Sequence, residues 1–379
     1  MLFRWKISNP VLIAATAISV AATSMGDHQM TEIVRGAPGR EGRPMIIIRG
    51  FALLQAMTAA VLLTGETAAL AAGTPPLRLD IKIPLAGIHG RIDHMAVDLS
   101  RHRLFVAALA SNSLAVVDLE GQRLDRIVPD LKEPQGVGYN PATDTVYVAN
   151  GGDGSVKLFK GADLSPTGRI ELGDDADNVR VDSRAGRIFI GYGNGAVTAL
   201  DATTHGKVAS ASLGAHPESF QLDRNSDRIF VNVPNKNEID VIDRASGKLL
   251  ASWPTSARSA NFAMALDNGR RQVLVAFRRP AAIGVFAESD GQLKATIPTC
   301  DDIDDLFVDE KRDLIYASCG EGYLDVLAAD GTSYRTIARV PTAPGARTSL
   351  FVPELDRLLL AVPARGGDGA AIWLYRPVP

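Results

Sequence analysis

Residues 73–379 predict an all-β fold, a seven-bladed β-propeller built of four-stranded antiparallel blades. Three observations carry this: one segment recurs seven times, each copy is followed by a run of β-branched and aromatic residues, and the strand missing from the last copy stands at the start of the domain.

The recurring segment reads IDHMAVD at 92–98, PQGVGYN at 134–140, ADNVRVD at 176–182 and PESFQLD at 217–223. It continues as NFAMALD at 261–267, IDDLFVD at 303–309 and RTSLFVP at 347–353, the final residues lying 42, 42, 41, 44, 42 and 44 apart. The fourth and sixth positions are apolar in every copy, the period-two signature of a strand. A second strand follows each, as in LFVA at 104–107, VYVA at 146–149, IFIG at 188–191 and VLVA at 273–276. Turn formers such as Asn140-Pro141-Ala142-Thr143-Asp144 separate the two. Third strands read LAVVD at 114–118 and IDVID at 239–243, and fourth strands GRIEL at 168–172 and LLASW at 249–253. Short antiparallel strands repeated in this way stack radially, because one blade alone cannot bury both of its faces. The seventh copy stops after its third strand, IWLYR at 372–376, while LRLDIKIPL at 77–85 precedes the first copy. The N-terminal strand 77–85 is therefore expected to complete the last blade and close the ring.

The 379 residues carry 40 Lys and Arg against 43 Asp and Glu, a net charge of −3. That balance argues against nucleic acid as a partner, which needs a basic stripe. The pairs Arg270-Arg271 and Arg278-Arg279 read as solvated turns. Ahead of the repeats, residues 1–44 read as an upstream extension and 45–72 as a signal peptide. In the latter, Arg49 supplies the charged start, Phe51 to Leu63 the apolar stretch and Ala69-Leu70-Ala71 the cleavage pattern. Neither apolar stretch is an unbroken run of about 20 residues, so no stable membrane span is expected after cleavage; two membrane anchors are the competing reading. Either way the remainder lies outside the cytoplasm, periplasmic or secreted, and is expected to be monomeric. The two cysteines, Cys300 and Cys319, suit a disulfide there: one precedes a strand and the other ends the strand beside it. Two buried free thiols are the alternative.

VYVAN at 146–150 and IFVN at 229–232 resemble the repeats of the YVTN-repeat (YncE-like) β-propeller proteins of bacteria. GRIDHMAVD, EPQGVGYN, DDADNVRVD, HPESFQLD, SCGEG and GARTSLFVPELDRL resemble an exported subgroup, and the likeness covers nearly all of residues 73–379. The resemblance implies the seven-bladed fold and an extracytoplasmic location. It implies no activity, and most blades depart from the namesake motif.

Aligning the repeats collects polar residues where the innermost strands begin, at one mouth of the central channel. These are Asp93, His94, Gln135, Asp177, Asn178, Glu218, Asp304 and Asp305, joined by His216, Asn261 and Arg347. Strands need apolar residues; the fold does not need this polar set. One reading is a binding site for a small polar ligand or a periplasmic protein. The alternative is a metal-dependent hydrolase or lyase, with Asp177, Glu218, Asp304 and His94 as candidate ligands for one divalent cation. The arrangement is similar to that of propeller lactonases, which hold a divalent ion in the channel mouth. Against both stands a bland reading, in which these residues cap strand ends and solvate a wet channel. The acidic runs Asp174-Asp175-Ala176-Asp177 and Asp301-Asp302-Ile303-Asp304-Asp305 lack the spacing of an EF-hand loop.

Overall fold

The computed structural model describes residues 75–255 and 258–378. The expectations for residues 1–72 fall outside them. The described residues form seven four-stranded antiparallel sheets. Their innermost strands are Met95–Asp98, Pro134–Asn140, Ala176–Asp182, Phe220–Leu222, Ser259–Asp267, Ile303–Asp309 and Thr348–Val352, here defining blades 1 to 7. Each innermost strand packs against the next, and the seventh returns to the first, so the blades close a ring around a channel. The closure is the expected one. Leu77–Pro84 pairs antiparallel with Ala371–Pro377, from Leu77 opposite Pro377 to Pro84 opposite Ala371, and is the outermost strand of blade 7.

The second strands are mostly apolar on both faces because both faces are buried. In Arg103–Ala108, Leu104 and Val106 join residues of blade 7, whereas Phe105 and Ala107 join Val137, Val146 and Val148 of blade 2. Alternation in the strand thus feeds two different seams, and each of the seven seams holds one apolar cluster.

The acid or amide that ends most innermost strands has a structural task. Asp98 accepts the N–H groups of Ser100 and Arg101, Asn140 that of Ala142, Asp223 that of Asn225 and Asp309 that of Lys311. Each holds the following turn in the manner of an Asx motif. An arginine three residues on reaches the next blade: Arg101 to Asp144 at 2.9 Å, Arg270 to Asp313 at 3.1 Å and Arg312 to Asp356 at 2.7 Å. The seventh copy ends in Pro353, and a 3-10 turn, Pro353–Leu355, takes the place of the acid-capped corner.

Cys300 and Cys319 form a disulfide with 5.9 Å between Cα atoms, both residues being buried. It ties the entry of Ile303–Asp309 to the end of Leu314–Cys319, beside the channel mouth. With 19 residues of separation, its removal by paired Cys→Ser substitution is expected to cost about 3 kcal/mol. The urea midpoint measures this; an unchanged midpoint would show that the crosslink adds nothing.

Candidate functional site

The channel mouth is polar because the innermost strands are irregular at the same point. The ladder slips between Pro134 and Val137, Ala176 and Val179, Asn261 and Met264, and Ile303 and Asp305. In blades 1 and 4 regular pairing starts later. There, Asp93 N–H donates to Ala107 O, Ala107 N–H to His94 O, Glu218 N–H to Asn232 O and Asn232 N–H to Ser219 O. A bulge leaves residues unpaired and re-aims their side chains. Gln135, Asp177, Phe262 and Asp304 are turned to the mouth in this way.

They line a cavity of about 180 Å³ together with Arg91, Asp93, His94, Asp175, Asn178, His216, Glu218, Ser219, Arg278 and Arg347. One arc is built on guanidiniums already paired with acids. Arg91 Nη2 lies 2.6 Å from Asp93 Oδ2, Arg347 Nη1 donates to both Asp302 oxygens at 2.7 and 2.8 Å, and Arg278 donates to Asp304. The Arg278 guanidinium also stacks over Phe262, 3.9 Å from the ring centre. The arc from blades 3 and 4 is acidic. Its imidazole, His216, has Nδ1 2.8 Å from Gly193 O and 3.5 Å from Asp175, and Nε2 3.8 Å from Asp177. Asp177 accepts the amide of its neighbour Asn178 at 3.2 Å, and Asp175 that of Gln135 at 3.0 Å.

Burial of so many acids perturbs their titration. Glu218 is pushed up to about 8 from an ordinary 4.5, first by burial and then by Asp177, with His216 opposing. Asp93 rises to about 6, driven by burial against the pull of His94 and Arg91. Burial disfavours the His216 cation, yet the facing Asp177 carboxylate and the bond to the Gly193 carbonyl outweigh that and carry it to about 9. Asp177 is the exception: burial would raise it, but His216 and His94 hold it below the usual carboxylate range. Perturbed acids and bases gathered in one cleft are a mark of functional sites.

The sign of the Glu218 shift gives a test. Folding raises this pKa, so the folded state holds a proton that the unfolded chain sheds above 4.5. The carboxyl therefore lowers stability increasingly as pH climbs from 4.5 to about 8. Glu218→Gln is expected to melt higher than the parent at about pH 9 and alike at about pH 4. Equal melting at both would remove Glu218 from the buried set.

Asp93, His94, Gln135, Asp177, Asn178, His216, Glu218, Asp304 and Arg347, all singled out in the sequence, line this cavity. Two others do not. Asn261 is fully buried, its amide donating to Asn232 Oδ1 at 3.2 Å and Glu238 O at 2.9 Å. Asp305 turns inward, accepts the Ser349 N–H at 2.8 Å and lines a deeper channel cavity of about 400 Å³. His94 and Ser219 line both cavities, and Arg180 stands on the inner side. The solvated-turn reading of Arg278 is corrected: it belongs to the strand Gln272–Arg279, and its length carries the guanidinium to the mouth. Arg270 and Arg271 do lie in the turn between Asp267 and Gln272, as expected, and Arg270 there bridges Asp267 and Asp313. Among the described residues no three His, Cys, Asp or Glu side chains converge on a point that would hold a metal ion. Asp177, Glu218, Asp304 and His94 therefore do not form one ligand set. Arg91, Ser219 and Phe262 complete the cavity without having been proposed as site residues, and Asp175 entered the sequence reading only within the acidic run 174–177.

No family model and no curated protein matches the chain by sequence. Solved structures do match in shape. A chain of the Kuenenia stuttgartiensis hydrazine synthase superimposes with a TM-score of 0.64 at 16% identity, covering 73% of this chain and 95% of that one. A chain of the mitotic checkpoint complex gives 0.67 at 11% identity, covering 78% and 91%. Both are similar in fold alone.

Proposed function

We propose that this protein is an exported binding propeller whose channel mouth takes one small polar molecule. The observation that supports this best is Asn178. It is 1% exposed, it lines the mouth cavity, and its Oδ1 has no hydrogen-bond partner among the described residues. Burying an amide oxygen without a partner costs about 1–3 kcal/mol, so an occupant able to donate would recover that loss. The cavity is small and recessed and its walls are charged, which suits a small molecule better than a protein surface. The metal-dependent alternative gains no support, since its proposed ligands do not converge among the described residues. Export rests on the leader-like segment and on the resemblance to exported YVTN-repeat proteins. The two fold neighbours, one named as a synthase and one as a complex, fit the rule that propellers serve unrelated tasks.

A thermal-shift screen of amino acids, amines, sugar acids and polyols tests the reading. A ligand at about 100 times its Kd adds about 2.7 kcal/mol, and Asp177→Asn is expected to remove the shift. If nothing in the panel shifts the parent protein, or if every shift survives in Asp177→Asn, the mouth is not the ligand site.

A further inference from the structure

The charge inventory narrows the kind of ligand, taking the mouth as the ligand site. Mouth and inner channel gather Asp93, Asp175, Asp177, Glu218, Asp304 and Asp305. The guanidiniums facing them, Arg91, Arg180, Arg278 and Arg347, are not evenly placed. Arg91 is spent on Asp93, and Arg278 and Arg347 on Asp302 and Asp304. Arg180 is spent on the carbonyls of Val179 and Phe220. The arc of blades 3 and 4 is left with Asp175, Asp177 and Glu218 against His216, with His94 of blade 1 also acting on Asp177, and Glu218 has no ion-pair partner among the described residues.

Asn178 adds an observation of a different kind. Its amide nitrogen points to Asp177 Oδ2 at 3.2 Å. That contact fixes the orientation of the amide, since the reverse would set two oxygens against each other. The unpartnered oxygen is therefore an acceptor, on the amide whose nitrogen meets Asp177, and it asks for a donor. We propose that the ligand enters the mouth through a protonated amine, seated among the Asp177 and Glu218 carboxyl groups and the Asn178 carbonyl oxygen. An ammonium group has three donors and one positive charge, matching three acceptors on an arc that no arginine pairs with. The same geometry disfavours an anion, which would meet Asp177, Glu218 and Asn178 Oδ1 together.

The titration of the arc supports this. Glu218 stands at about 8 because of burial and then Asp177, partly offset by His216 and Arg278, with Asp304 also raising it. A cation placed beside it favours the ionised form, so binding expels a proton below that pH. His216, held at about 9 by Asp177, the Gly193 carbonyl and Asp175, loses its own competing charge as pH rises. Both groups make affinity for a cation climb with pH.

The test is calorimetric titration of the full chain with ethanolamine and putrescine, with ethylene glycol and acetate as neutral and anionic counterparts. The expected result is binding of the amines alone, tighter at about pH 8.5 than at 6.5, with heats that depend on the buffer because a proton is released. Glu218→Gln, which keeps the shape, is expected to weaken binding about tenfold and to reduce the buffer dependence to the His216 share. Asp177→Asn is expected to do at least as much. Acetate or glycol binding that Asp177→Asn abolishes, with no amine bound, would overturn the ammonium assignment and leave the mouth a ligand site. Amine binding that neither variant alters would overturn it as well, by placing the amine elsewhere. Silence from all four probes in the parent protein would count against the assignment and, with a negative wider screen, against the mouth itself.

Discussion

Deleting Leu77–Pro84 is expected to cost the protein its cooperative fold. This strand is far in sequence from the repeat it completes, yet it supplies Leu77 to one seam and Ile83 to another, both 2% exposed or less. Full burial of such side chains contributes about 1.5–3 kcal/mol each, and the pairing with Ala371–Pro377 adds a ladder of backbone bonds interrupted only between Leu79 and Ile81. Together these approach the whole stability of an ordinary domain, about 5–15 kcal/mol. The deletion would also bare Ala371–Pro377 as an edge carrying Ile372, Leu374 and Tyr375, a template for aggregation. Circular dichroism and light scattering on heating provide the measurement. A deletion variant that stays monomeric and melts cooperatively near the parent temperature would show that the ring does not need its latch.

The latch was legible because it follows from counting strands, and counting needs only the period of the repeat. Likewise the seams follow from runs such as LFVA at 104–107, whose alternate residues serve opposite faces. The mouth was legible only in part, because aligning repeats by number treats every innermost strand as a uniform ladder. Asn261 shows where this fails. In blade 5 the strand starts at Ser259, Ala260 adopts a positive φ of 60°, and Asn261 pairs opposite Phe277 inside the sheet. Arg347, assigned to the same column, stays free to reach Asp302 and Asp304. Asp304 and Asp305 part company for a similar reason: the slip between Ile303 and Asp305 aims one at the mouth and the other down the channel. Bulges depend on which residue lies opposite, and that information belongs to the paired strand. Arg278 was misread for another reason. It sits on a second strand, and only the three-dimensional reach of its side chain brings it over Phe262.

Gly136→Ala is expected to destabilise the protein by about 3 kcal/mol, the upper end of the range for overpacking. Blades converge towards the channel, so the innermost strands of blades 2 and 3 come closest there. A Cβ at Gly136 would stand 1.8 Å from the Asp177 carbonyl oxygen and 3.1 Å from Val179 Cγ2. The obstruction is backbone, which no rotamer change relieves, so the two strands must separate. Gly138 meets the same wall, with Val179 Cγ1 2.6 Å from its Cβ position. Gly168, on an outer strand, has nothing within 4 Å, and Gly168→Ala is the matched control, expected to melt like the parent. The consequence reaches the site, because the backbone that must give way carries Asp177. Displacing Asp177 weakens its hold on His216, whose raised value of about 9 depends on that partner. An NMR titration of the His216 ring should therefore move downwards in Gly136→Ala and stay put in Gly168→Ala. If Gly136→Ala melts like Gly168→Ala and leaves His216 unmoved, the close approach of blades 2 and 3 does not position the acid. The mouth would then owe its geometry to the bulges alone. A shared loss of stability and of the His216 shift would instead make packing between blades part of the site, with a glycine that carries no charge setting where the charge stands.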